Sequence, residues 1–289
     1  MKRARRPDYK ESDWRGVFFD NLFLEGLVGN PPPEGESHVA QAASPAVQST
    51  SNDSDGANDV LGWNSLIDPE SLENEIKRQQ INLEALITTP LQFQTDYLKI
   101  RDAFSMLSAW MAIVRDYNGD VRWKNDAAAA QTAFARTAAN CRTGSELAFN
   151  NARQSQDALR EMVRGGSFPE TELPSEDFAW NQAVDRNPLM RQLQVSLDRL
   201  KQNTGSKSAF ENEIEEVLHD ANLIAAIARI TGDESMDDAD DDDYKSFAIQ
   251  MMDAAVSANE SIRLSNFDLV ASSVNKIEQS CNDCHSEWR

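Results

Sequence analysis

The residues best equipped for chemistry lie at the C-terminal end, in the stretch SCNDCHSEWR. Cys281, Cys284 and His285 form a Cys-x-x-Cys-His string there. Two thiols and an imidazole at this spacing can hold a haem: each thiol bonds a vinyl group as a thioether and the imidazole takes the iron. Zinc is a second option, but it wants four ligands, usually from paired motifs. No second cysteine pair exists, and His38 and His219 are not spaced to complete such a site. A redox dithiol is a third, but that chemistry belongs at a strand–helix start, and no strand pattern is read here. The third cysteine, Cys141, stands alone, so the chain has no disulfide framework. One covalent haem is the expectation that survives.

The elements that must position these side chains are helices. Phe267, Val270, Val274, Ile277, Cys281, Cys284 and Trp288 recur at threes and fours, the apolar stripe of one amphipathic helix. On it, positions 281, 284 and 285 span an arc of roughly 100°. Three more stripes precede it. Met190, Leu193, Leu197 and Leu200 follow Pro188, which suits a first turn. Phe210, Ile214, Val217, Ala221, Ile224 and Ala228 come next, then Tyr244, Ala248, Met251, Ala255, Ala258 and Ile262. Four such helices with short connections make an antiparallel four-helix bundle. In that topology the start of the first helix lies level with the end of the fourth. Met190 therefore becomes the candidate second iron ligand, facing His285 from the other side, unless it only packs there. Arg186 and Arg289 are the nearest cations for the haem propionates.

The first half repeats the pattern. Phe93, Tyr97, Ile100, Phe104, Leu107 and Met111 match the second helix, Trp123 to Cys141 the third, and Ala148 to Met162 the fourth. Leu72, Ile76, Leu83 and Leu86 give a looser first helix. The repeat fails where the chemistry lies: Leu159, Met162 and Val163 stand in place of Cys281, Cys284 and His285. The fold expected is all-α, two tandem antiparallel four-helix bundles after a largely disordered N-terminal segment. The expected boundaries are an extension and linker at 1–60, a haem-less bundle at 61–166, a linker at 167–179 and a haem-binding bundle at 180–289. Cys141, opposite Ile262, is expected as a buried, inert thiol.

Composition agrees with helices and narrows the partners. The 289 residues are 40% hydrophobic with only twelve Gly, and the net charge of −20 excludes a nucleic-acid backbone as partner. No run approaches the roughly 18 apolar residues of a membrane span. Lys2, Arg3, Arg5 and Arg6 resemble the basic start of an export signal, but Asp20 and Glu25 interrupt the apolar run that follows. No cleavable signal is therefore read. The apolar residues between Trp14 and Val28 are expected to dock on the body or on a partner. Eight carboxylates crowd residues 233–243. They read as a solvated loop leading into a helix, with a docking face for a basic protein as the sharper option and a calcium loop as the weakest. His219, flanked by Glu215, Glu216 and Asp220, reads as a surface histidine. The tryptophans read as packing residues.

At this point the chain resembles the cytochrome c prime family, the class II c-type cytochromes, whose four-helix bundles carry Cys-x-x-Cys-His near the end of the last helix. The likeness is good over 244–289, where CHSEWR matches the family's Cys-His-x-x-Tyr-Arg, and looser over 186–230. It implies thioether positions at Cys281 and Cys284, the proximal ligand at His285, a haem-side arginine at Arg289 and the distal position at Met190. Members with methionine there carry electrons; members with a non-ligating residue bind nitric oxide or carbon monoxide. The expected partner is a redox protein or a small gas, with a possible homodimer. The likeness further implies the periplasm, where the haem is attached. The tandem haem-less copy departs from the family pattern. No nucleophile–base pair, phosphate loop or convergent carboxylate set appears, so no enzyme is expected.

Overall fold

The structure, a computed structural model, describes residues 62–169 and 178–288. The expected linker at 1–60, with its apolar segment and His38, lies outside the described residues, as does Arg289. Among the described residues every regular element is an α-helix, as the composition predicts. No described helix is long and apolar enough to cross a membrane.

The first half holds α1 (Trp63–Leu66), α2 (Pro69–Leu86), α3 (Pro90–Asp116), α4 (Ala127–Asn140) and α5 (Glu146–Val163). The second holds α6 (Trp180–Ala183), α7 (Arg186–Asn203), α8 (Lys207–Asn212), α9 (Ile214–Thr231), α10 (Asp242–Arg263) and α11 (Phe267–Glu287). Local chemistry sets the starts. Asp68, Thr89, Ser145, Ser206, Asp241 and Asn266 each accept a backbone N–H of the first turn from the N-cap position. Proline stands in the first turn of both α2 and α3. Gly165, at φ 101, closes α5 in a left-handed turn that other residues resist.

Two boundaries differ from the stripes. The stripe beginning at Phe210 is split at Glu213 into α8 and α9. The stripe beginning at Trp123 starts as helix only at Ala127. Trp123 instead takes φ 66 in a buried turn, and its indole Nε1 donates to the Met162 carbonyl at 3.0 Å.

Each half packs chiefly on itself: α3 against α4 in the first, and α10 against both α9 and α11 in the second, with α7 on α9. The halves also meet directly, α9 against α1 and α2, and α3 against α6 and α7. Beside the break between α5 and α6, Phe168 stacks edge-on against Phe134 and Phe178 against Trp180.

The seam corrects one reading. His219 is buried, only 4% exposed, because α2 covers the face of α9 that carries it. Its Nε2 lies 3.3 Å from Glu75 Oε2. Next to it, Asp220 is fully buried and receives Arg199 through Nε at 3.1 Å and Nη2 at 2.5 Å. Arg78 reaches Glu216 at 2.5 Å, and Asn222 donates to Asp68 and Ser71. These acidic neighbours looked like a solvated face. Glu216 and His219 face the contact between halves, whereas Asp220 is paired within the second half and Glu215 stays exposed.

Candidate functional site

Helix α11 remains regular through the motif, and the Trp288 N–H closes its end on the Cys284 carbonyl at 2.9 Å. Cys281 and Cys284 are half-buried and His285 is exposed. All three line one cavity of about 420 Å³. That volume is in the range of small-molecule and cofactor sites, about 300–1,000 Å³.

Helix α7 forms the facing wall. Arg186, Met190, Leu193 and Leu197 line it in order from the helix start. Among the helices that neighbour each other around this half, α7 and α11 touch least, and the cavity lies between them. Helix α10 supplies the floor with Tyr244, Phe247 and Met251. Trp288 stands edge-on to both Tyr244 and Phe247, with centroids 5.9 Å away in each case. Lys201 and Glu278 pair across the far end.

Of the residues singled out in the sequence, Arg186, Met190, Cys281, Cys284 and His285 meet around this one space. Arg186 is held by the acidic loop. Its Nη2 donates to Asp238 at 2.7 Å and to the Asp237 carbonyl, and its guanidinium lies 5.2 Å over the Tyr244 ring. Burial works against that charge, but Asp238 and its neighbours raise the guanidinium pKa further above its ordinary value. Its Nε is buried without an acceptor. The loop carboxylates also act locally: Asp241 caps α10 through the amides of Asp243 and Tyr244.

Sequence reasoning missed Tyr244, Phe247 and Met251 as lining residues. For Tyr244 and Met251 the usable signal was their position in the first half of a stripe antiparallel to α11; Phe247 lies off that stripe. Cys281 donates its thiol hydrogen to the Met251 thioether at 3.7 Å.

All three cysteines are free. Burial pushes the Cys281 thiol up to about 11, with Cys284 and Glu278 adding to the effect. Burial raises Cys284 as well, while Arg186 pulls it back. Cys141 is fully buried and is pushed up to about 12 by that burial. At pH 8 the thiolate fraction of Cys281 is then about one in a thousand. In the haem-free native chain, iodoacetamide is expected to label Cys284 before Cys281, and Cys141 only on unfolding. Cys281 labelling should accelerate about tenfold per pH unit up to about pH 11. Peptide mass spectrometry checks the order.

The matching place in the first half is filled. Leu159 and Met162 are fully buried, and the Trp123 indole closes on the Met162 carbonyl. Among the described residues, no three His, Cys, Asp or Glu side chains converge to hold a metal ion. That donor geometry does not suit a zinc site. A haem asks less of it, because only His285 has to reach the iron while the cysteines bond the ring edge.

Compared with protein-family profiles, with curated proteins and with solved structures, the chain matches none.

Proposed function

We propose that this chain is a class II c-type cytochrome with one covalent haem, working as a one-electron carrier. The observation that supports the reading is the convergence of Cys281, Cys284, His285, Met190 and Arg186 on a single, largely apolar cavity. The donor set suits the group: two free thiols for the vinyl carbons, an imidazole for the iron, and an arginine on the rim. The buried, unpaired Arg186 Nε is one donor short of an acceptor, which a carboxylate at the rim would supply. When bound, the haem supplies an iron that gains and loses one electron.

The chain's own residues then have distinct tasks. Cys281 and Cys284 fix the ring to α11. His285 and Met190 would serve as the iron's protein ligands, and a thioether ligand would raise its potential. Leu193, Leu197, Phe247 and Trp288 line the cavity and would keep water from a bound ring. The first half takes no haem, since Leu159 and Met162 have neither the chemistry nor the space. The partner is a redox protein, and the net charge of −20 favours one with a basic face. Haem attachment places the work in the periplasm.

A second reading has its own support. Met190 is only half-buried and continues an apolar row with Leu193 and Leu197, where a thioether packs as readily as it ligates. Without that ligand the protein would bind a small gas such as nitric oxide or carbon monoxide. Spectra of the haem-loaded protein separate the two. An electron carrier is expected to be low-spin, with the iron–thioether charge-transfer band, and Met190→Ala should abolish that band. A high-spin spectrum that shifts under carbon monoxide in the unmutated protein would favour the gas-binding reading.

A further inference from the structure

Beside the two cysteines of the haem reading stands a third sulfur that haem binding does not use, the Met251 thioether. Cys281 Sγ and Met251 Sδ lie 3.7 Å apart, Cys284 lies one helical turn further along α11, and all three line the same largely apolar space. Metal–thiolate bonds are roughly 2.3 Å long. Two sulfurs 3.7 Å apart can share one ion at that length with an angle at the metal of about 107°. This angle suits three- or four-coordinate binding.

We propose that the haem-free chain binds one soft monovalent metal ion, copper(I), through Cys281, Cys284 and Met251. Thiolate and thioether ligands select copper(I) over harder ions. Each thiol gives its proton to water as the copper bonds sulfur, and copper stays copper(I), so no electron moves. Two thiolates on one copper(I) leave a single negative charge, and Arg186 stands on the same cavity to offset it. The copper ion and the haem claim the same two cysteines, so a given chain holds one or the other. The site itself depends only on the position of the sulfurs and stands apart from the haem reading.

The test is an anaerobic titration of the reduced, haem-free, full-length chain with copper(I) against a coloured copper(I) chelator. One copper per chain is expected. Met251→Leu keeps the volume of the side chain but removes a direct ligand, and should weaken binding by at least about 10-fold, the lower bound for outer-shell changes. Cys281→Ser should abolish it, while Cys141→Ser should leave it unchanged. Circular dichroism of each variant confirms that the helices are retained. X-ray absorption at the copper edge should show sulfur neighbours only. No uptake, affinity untouched by Met251→Leu, or a nitrogen neighbour from His285 would overturn the proposal.

Discussion

A chain carrying both Cys281→Ala and Cys284→Ala, produced beside haem-attachment machinery, is expected to lose its colour on denaturation. The unmutated protein should keep one haem per chain under the same treatment. The reasoning is chemical: denaturation removes the cavity walls and the axial bonds, so only thioethers hold the ring afterwards. Either single variant retains one thioether and should keep reduced but measurable haem. His285→Ala keeps both thioethers and should change the spectrum rather than the attachment. Grafting Leu159→Cys, Met162→Cys and Val163→His into the first half should not add a second haem, because the Leu159 and Met162 positions are fully buried. In-gel haem staining and intact mass read all of these. Two haems on the unmutated chain, or colour that survives in the double variant, would overturn the assignment.

Asp220→Ala should be strongly destabilising, costing about 3 kcal/mol in urea unfolding. Asp220 is fully buried and accepts three contacts from Arg199. Burial raises its carboxyl above the ordinary aspartate value even against the pull of Arg199, so the pair is not a strong source of stability in itself. Removing the anion alone is a different matter. It leaves Arg199 partly buried with its partner gone. The sign on pH follows from the raised value. The carboxyl's contribution is fully present below its unfolded pKa and declines as pH climbs through the folded one. A combined Asp220→Leu, Arg199→Met variant removes both charges and should recover most of the loss. A double variant as unstable as Asp220→Ala would mean that packing, rather than the stranded charge, sets the cost.

The sequence made helix positions and the motif end of the cavity legible because both are local. Threes and fours of apolar residues define α7 and α9 to α11, and antiparallel order alone brings Met190 level with His285. Two kinds of information were not local. Trp123 leaves its helix for a hydrogen bond to Met162, a partner on another element. His219 looked solvated because its neighbours in sequence are acidic, yet α9 is covered on several sides and Glu75 meets it across the seam. Hydropathy reads a residue's own preference and not the element that will cover it. Met251 illustrates the same limit: its stripe position marks it as core, and only the packing of α10 on α11 brings it beside Cys281.

The seam between the halves also behaves as a key. Along it Glu75 meets His219, Arg78 meets Glu216, and Asp68 meets Asn222, each at one fixed height on α2 and α9. Sliding one helix past the other by a single turn would confront acid with acid or strand a charge away from water. The observed alignment gives each of these charged groups a partner, a choice that apolar contacts nearby could not make unaided. Through α3, which packs on α7, and the Arg191–Asp102 pair, the half without the motif also braces one wall of the mouth between α7 and α11 from behind.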